Sequence, residues 1–439
     1  MPNVTERTHE LYASAELELK GEASSRHPAS FYQRKVKLLW ERAKNSKAYA
    51  PIGPYSWDGF ETLPVTTRQQ LKEHPLDFLA VPVCKALKYY ETTGPTGLPT
   101  PTPRLREDVI WNTVSVAEAR SHIIRPDARV FIILPSDIVH VAELVVDVCA
   151  DLNIAHAKAY HFTIGDADGY RIEEVAKNFL PTVLFIAPGV CKQFTRILKQ
   201  RGTFHSFSES VRTIMLLGEV NTSAFRARLG KWWDATAFDA SYGSTETGTL
   251  AAACKEGHQH LLCGANYVEI KTDRGLEPLP ESGEVAGRLV VTPLNLHARP
   301  LLRLDTGDLV TVSVGCPCGA SSPWIEVHGR STDAITIHAQ PITVRSLEEV
   351  VYGVSNATGY LIEAVQDGSF ARLLIERNPE WDRADEPRIV KDIQSHSLTR
   401  LGMIWNEIKF VNTLPTNTKS GASQKSWKRS NIRVIEVAA

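Results

Sequence analysis

The chain has 439 residues, a formal net charge of -1, 43% hydrophobic and 23% charged residues. That length predicts two domains of unequal size, and the balanced charge gives no electrostatic reason for nucleic acid or an anionic membrane as partner. No apolar run reaches the ~20 residues needed to span a bilayer. Residues 1–25 lack the apolar centre of a secretory signal, and seven cysteines without such a signal argue against a disulfide framework. Cytoplasmic is the expected location, and a homodimer stays open.

Met1 to Pro28 reads as a helical lead, and Phe31 to Ala43 carries Val36, Leu39 and Trp40 at helical spacing. Pro51 to Leu76 reads as irregular. The first chemical candidate is Thr92-Thr93-Gly94-Pro95-Thr96-Gly97-Leu98-Pro99-Thr100. Threonines and glycines of this kind can wrap backbone N–H groups around phosphates, and equally make a surface turn. From Arg129 onward strands and helices alternate. Val130–Leu134, Ile154–Tyr160, Thr182–Ala187 and Val211–Leu217 are strand-like; Val139–Leu152, Ile172–Phe179 and Val190–Lys199 are helical. Such alternation implies crossovers and a largely parallel sheet. Ligands of such sheets sit beyond the carboxyl ends of the strands, where Gly218-Glu219 and Ser241-Tyr242-Gly243 fall. His140 by itself reads as a histidine satisfied in or near a helix start.

Phe238-Asp239-Ala240-Ser241-Tyr242-Gly243-Ser244-Thr245-Glu246-Thr247-Gly248 reads as strand end and loop. Small residues here let backbone approach a ligand. Ser244 and Thr245 offer hydroxyls to phosphate oxygens, Glu246 offers a hard carboxylate to Mg2+, and Tyr242 offers a ring to adenine or to an aryl substrate. Taken alone, a polar turn explains the string as well. Cys316-Pro317-Cys318-Gly319 with Cys254 and His260 suits tetrahedral Zn2+ in a closed, structural site; His258 is the alternative imidazole and Cys263 a spare thiol. Asp308, after Thr306-Gly307, has two acceptor oxygens for a pair of hydroxyls. The C-terminal part reads as α+β, with short strands at Ile335–Ile337 and Ala371–Ile375 and helices at Arg345–Val351 and Pro387–Leu401.

The ordered set of the Thr92–Thr100 loop, the Ser241–Gly248 string, Leu304-Asp305-Thr306-Gly307-Asp308, Gly329-Arg330-Ser331-Thr332-Asp333 and a lysine-rich tail resembles the adenylate-forming superfamily. Glu219 after Gly218, the Cys316–Gly319 knuckle and the short chain resemble its phenylacetate–CoA ligase branch. The resemblance implies an α/β fold: an AMP-binding domain, 1–330, of mostly parallel layered sheets and helices, with the zinc knuckle near 254–318, and a small mobile α+β lid, 331–439. It implies ATP and Mg2+ as cofactors and a small carboxylic acid, aryl or aryl-like, as substrate. CoA, or phosphopantetheine on a carrier protein, would take the acyl group.

By the same resemblance Thr92, Thr93, Gly94, Thr96, Gly97, Gly218, Glu219, Ser241, Tyr242, Gly243, Ser244, Thr245, Asp308 and Arg330 bind the nucleotide. His140, Ala187, Tyr242, Gly243 and Gly248 line the acyl pocket. Lys425 bridges carboxylate and α-phosphate beside the catalytic pair Thr245 and Glu246. Four positions depart from the pattern. Leu98 replaces a loop lysine, for which Arg104 or Arg106 is a candidate substitute, and Thr332 stands at the hinge. Ala339 replaces the usual glycine beside the pantetheine tunnel, and Ala422 displaces the lid lysine to Lys425, with Lys419 as the alternative. These departures keep two rival readings in play, an amide synthetase with an amine acceptor and a nucleotide-binding protein without turnover.

Overall fold

Phe31, Val36, Leu39 and Trp40 fall on one face of the helix Ala29–Ala43, which buries them in a large apolar cluster. The computed structural model describes residues 4–20, 24–92, 100–134, 140–159, 167–219, 221–329, 335–378, 382–415 and 432–435. Its contacts group the chain into two units, residues 1–158 with 239–328, and residues 159–238 with 329–439.

In the first unit the segment Pro51–Leu76, expected to be irregular, contains two short helices. Ser56 accepts from Gly59 N at 3.0 Å to start Trp57–Thr62. Thr67 and Gln70 form a reciprocal capping box that starts Arg68–Glu73. The helices are too short for apolar periodicity to reveal; their caps were the readable signal. After them, Arg129–Ile133 pairs in parallel with Ala155–Lys158 across the helix Val141–Asp151, the crossover the alternation predicts.

The larger sheet of this unit is mainly antiparallel. Its strands run Gly275–Pro278, Asn266–Thr272, Glu284–Pro293, Leu304–Ser313, Trp324–Gly329, Gln259–Leu261, Gly248–Ala253, Ser241–Ser244, with Thr66–Thr67 added in parallel beside Leu304. Val268, Ile270, Leu289, Val291, Val310 and Val312 point inward from it onto Phe31, Leu39 and Phe60. The string at 238–248 is thereby corrected from strand end and loop to a hairpin: Ser241–Ser244 pairs antiparallel with Gly248–Ala253 around a tip at 245–247.

In the second unit Val183–Ile186 and Thr213–Leu216 pair in parallel, joined through the helix Pro188–Arg201. Beyond residue 335 the α+β expectation holds, with more strands than the sequence showed. Glu407–Val411, Ala371–Glu376, Gly359–Ala364 and Ile432–Val434 form one sheet, accompanied by the helices Val344–Val354 and Glu386–Leu401. Ala339 is in the left-handed region at φ 65°, where glycine is favoured.

Candidate active site

The hairpin is held by close backbone approach. A Cβ on Gly243 would collide with the Gly248 carbonyl, and Gly248 itself has φ 73°; both glycines are required by the turn. Ser244 Oγ and Thr247 Oγ1 lie 3.0 Å apart, while Ser244 N donates to Thr247 Oγ1 and Thr247 N to Ser244 Oγ. The Ser244 hydroxyl therefore shapes the tip, and that of Thr245 is the one left for a ligand. Ser241 Oγ accepts from buried Arg120 at 3.4 Å.

In front of the hairpin lies an open cleft of about 360 Å3 including its mouth, lined by Tyr242, Gly243, Ser244, Glu246, Thr306 and Asp308 together with Arg68 of the helix Arg68–Glu73. Tyr242 donates to Asp308 Oδ2 at 2.6 Å; burial, then the Asp308 charge, drives the phenol pKa well up, so it stays a donor. Asp308 is set by the turn before it, where its N–H donates to Thr306 Oγ1 at 3.2 Å and Gly307 has φ 73°.

A carboxylate in a loop is expected at the solvent edge, yet Glu246 is only 6% exposed. Arg68 Nη2 donates to its Oε1 at 3.4 Å, and Arg68 Nη1 to Thr306 O at 3.2 Å. Burial raises the Glu246 pKa, but Arg68 and Arg299 outweigh it and leave the group below the usual carboxylate range. It is an anion with a cation already beside it.

Behind the tip is a second cavity, about 370 Å3 with its opening, which Gly248 and His140 share with Tyr90, Arg104, Asn112 and Thr113. Arg104 Nη2 donates to the carbonyls of Thr245 (2.6 Å) and Glu246 (3.1 Å), so it braces the hairpin tip from within. Asp108 receives N–H groups of Leu105, His297 and Ala298. Asn112 Oδ1 accepts from Thr249 N at 3.0 Å. His140 faces Tyr90 with ring centroids 5.7 Å apart. Burial and then Arg104 lower its pKa to about 4, which makes it a neutral imidazole.

Ala187, Gly218 and Glu219 belong to the second unit. Ala187 is fully buried before the helix Pro188–Arg201, and Glu219 Oε2 accepts from Gly189 N at 2.9 Å in the first turn of that helix. Thr92 Oγ1 accepts from Thr100 N at 3.2 Å, and Thr92 N donates to Thr100 O, which closes the base of the threonine–glycine loop. Thr93, Gly94, Thr96, Gly97, Arg330, Lys419 and Lys425 lie outside the described residues.

The ligand atoms of Cys254, His260, Cys316 and Cys318 all lie within 4.8 Å of one another. Cys254 and Cys316 sulfurs are 3.9 Å apart, and Cys318 Sγ is 3.3 Å from His260 Nε2. His260 Nδ1 is 2.9 Å from the Ser322 carbonyl, which fixes Nδ1 as the donor and leaves the Nε2 lone pair toward the thiols. Without a cation, burial and the neighbouring thiols push Cys254 and Cys316 up. A divalent ion reverses that, so the donor set fits Zn2+. His258 stands beside the cluster, with Nδ1 3.3 Å from Cys316 Sγ and its ring stacked on Trp324. Cys263 is buried with its carbonyl accepting from Tyr32, and is not in the cluster.

Sequence reasoning missed Arg68, Arg299 and the bracing role of Arg104. Their partners lie 141 and 178 residues away for Arg104 and Arg68, a separation no local pattern reveals. Among the described residues no helix is long and apolar enough to cross a membrane.

No protein-family profile matches the chain. It is 25% identical over 297 residues to a phenylacetate–coenzyme A ligase of Escherichia coli, covering 66% of this chain and 65% of that protein. It is 24% identical over 366 residues to a phenylacetate–coenzyme A ligase of Thermus thermophilus, covering 78% of each. The chain thus spans about two thirds of the first relative's length and more of the second. Its fold is similar to that of a 2-hydroxyisobutyryl-CoA ligase solved with 2-HIB-AMP, with a TM-score of 0.72 at 18% identity over 99% of this chain and 90% of the other. The resemblance to the phenylacetate–CoA ligase branch, drawn from the motifs, and the α/β fold class are both borne out.

Proposed function

From a chain with the fold of adenylate-forming CoA ligases, we propose an acid–thiol ligase that activates a small carboxylic acid with ATP and passes the acyl group to CoA. The observation that carries this reading is the cleft where Tyr242, Ser244 and Glu246 of the hairpin meet Thr306 and Asp308. A carboxylate oxygen of the substrate attacks the α-phosphorus, an O–P bond forms, and pyrophosphate leaves with the electron pair of the broken bond. Catalysis is then positioning and charge neutralisation. Tyr242 and Asp308 orient the nucleotide, with Arg330 on the ribose. Gly218, Glu219, Ser241, Gly243 and Ser244 complete the nucleotide site, and Thr245 and the Thr92–Gly97 loop hold phosphates. Lys425 neutralises the charge on carboxylate and α-phosphate, Lys419 being the alternative. Mg2+, when bound, supplies positive charge at the phosphate oxygens. Glu246 is ionised and fits as its protein ligand once Arg68 yields. Zn2+ would sit in the Cys254–His260–Cys316–Cys318 set as a structural ion.

The finer reading is an aryl or aryl-like acid, walled by His140, Ala187, Tyr242, Gly243 and Gly248, with residues 331–439 rotating as a lid between half-reactions. The acceptor in that reading is CoA or carrier-protein phosphopantetheine, in specialised metabolism. One observation favours a second reading. Ala339 keeps a glycine-like backbone at φ 65° while adding a methyl, which would narrow a thiol tunnel and suits an amine acceptor. Pyrophosphate release with a panel of acids, followed by addition of CoA, loaded carrier protein or amine, tests these in order. Release with no acid while ATP still binds would leave a nucleotide-binding protein without turnover.

A further inference from the structure

The cavity behind the hairpin holds polar atoms that nothing among the described residues uses. Arg104 is 6% exposed and Thr113 fully buried, and Arg104 Nη1, Thr113 Oγ1 and His140 Nδ1 are shut off from solvent without a hydrogen-bond partner among the described residues. All three residues line the same cavity. Buried donors are normally satisfied, and three unsatisfied groups around one space are an unfilled demand for a ligand atom. A pocket meant only for a hydrocarbon or bare aromatic ring would bear the cost of those groups with no return.

The charges narrow the ligand further. Asp108 faces the cavity beside Arg104 but spends its oxygens on the N–H groups of Leu105, His297 and Ala298. Asp147 is paired with Lys88 at 2.8 Å. The two carboxylates thus offset the two cations, so the site does not call for a second anion. What remains is a guanidinium N–H, a hydroxyl and a neutral imidazole, set against apolar walls from Val109, Leu144 and Leu296. That combination suits an uncharged oxygen on a short carbon skeleton or ring.

We propose that this cavity reads the body of the acid and selects acids carrying a second, uncharged oxygen, a hydroxyl or carbonyl, beyond the carboxyl that is activated. The inference rests on the carboxylate-activating reading above and names its substrate class. Arg104 couples the two sites, because the guanidinium that would meet the oxygen also holds the Thr245 and Glu246 carbonyls.

The test is calorimetric binding to the full chain of paired probes, 4-hydroxyphenylacetate against phenylacetate and 3-hydroxybutanoate against butanoate. The oxygenated member of the tighter-binding pair should bind on the order of tenfold more strongly or better. Thr113→Val, nearly isosteric, should shrink that ratio to a few-fold. Arg104→Met should do the same, and the wild-type ratio stands as the test if either variant fails to fold. Equal affinity within both pairs, or binding of neither probe, overturns the proposal. Pyrophosphate release is followed in parallel. A binding preference without release supports the cavity's selectivity and sinks the activation reading; release that ignores the second oxygen does the reverse.

Discussion

The thiol–imidazole cluster and the hairpin cleft lie in the same unit and reach their charge balance in opposite ways. In the cluster, Cys254, His260, Cys316 and Cys318 converge with no protein cation among them, and the His260 tautomer is set by Ser322 for a lone pair to face the sulfurs. Thiolates there would need an added divalent ion to balance them. In the cleft, Glu246 is already balanced by Arg68, with Arg299 near enough to hold it ionised. A metal arriving there must displace a resident guanidinium. A divalent ion held by the first arrangement would add folding energy; the second is charge-balanced without one, so a nucleotide-borne ion would bind there reversibly.

The largest expected effect breaks the cluster. Replacing Cys316 and Cys318 by serine removes two thiolates from a four-ligand set and should abolish stoichiometric zinc. Stability should drop by several kcal/mol, about the scale of a lost structural metal. Metal analysis and thermal unfolding check this. Wild-type Tm with no metal in either protein would make the four residues ordinary cysteines and histidine.

Next in size is Glu246→Gln, which keeps the shape but removes the anion. Pyrophosphate exchange should fall on the order of 10²-fold, about 3 kcal/mol of transition-state stabilisation. Because Glu246 is buried and not at the solvent edge, the variant should also lose about 1–2 kcal/mol of stability through the unpaired Arg68. Exchange rate per folded molecule against Mg2+ concentration is the measurement, and unchanged rates would place the metal elsewhere.

How much of this was legible beforehand differs between the two regions for a physical reason. The cluster's tight pair, Cys316-Pro317-Cys318-Gly319, announces itself because two thiols so close in the chain are a local signal. The parallel units around Arg129–Ile133 and Val183–Ile186 were legible as apolar runs between amphipathic helices. The hairpin was not: its tip residues read equally as turn or loop, and only pairing with Gly248–Ala253 decides. Arg68 and Arg104 were opaque because a long-range ion pair leaves no mark on the local pattern. The strands Gly359–Ala364 and Glu407–Val411 escaped because the first puts Tyr360, Leu361 and Ile362 in succession without alternation, like a buried helix segment, and the second is short and half polar.

A smaller effect sharpens the electrostatic side of the comparison. Arg68→Met leaves Glu246 with Arg299 alone, so stability at pH 7 should drop by about 1–2 kcal/mol, less than for a fully buried pair because Arg68 is partly exposed. The Glu246 pKa is depressed in the folded state below the ordinary glutamate value of 4.5. Its ion-pair stabilisation is therefore present above that value and lost as pH falls through the lower folded value. The difference between wild type and variant should stay level near neutrality and close below pH 4.5. Denaturant titrations at several pH values check it, and a gap that persists in acid would mean the loss is of packing.

The smallest effect isolates geometry from charge. Ser244 looks from the sequence like a phosphate ligand, yet its hydroxyl receives Thr247 N at 3.2 Å and meets Thr247 Oγ1 at 3.0 Å. Ser244→Ala removes one partner of that reciprocal pair and no charge. If the hydroxyl serves the turn, stability should fall by about 0.5–1.5 kcal/mol, the worth of one hydrogen bond. ATP affinity should change by less than about threefold, since the Ser244 backbone and Thr245 hydroxyl remain in place. If instead the hydroxyl leaves Thr247 to bind phosphate, stability of the free protein should still fall, but ATP affinity should drop about tenfold, the cost of a charge-assisted bond. Nucleotide binding by calorimetry beside thermal unfolding separates the two. A tenfold loss would make the Ser244 hydroxyl, and not only its backbone, a contact of the nucleotide, and leave Thr247 as the residue that holds the tip.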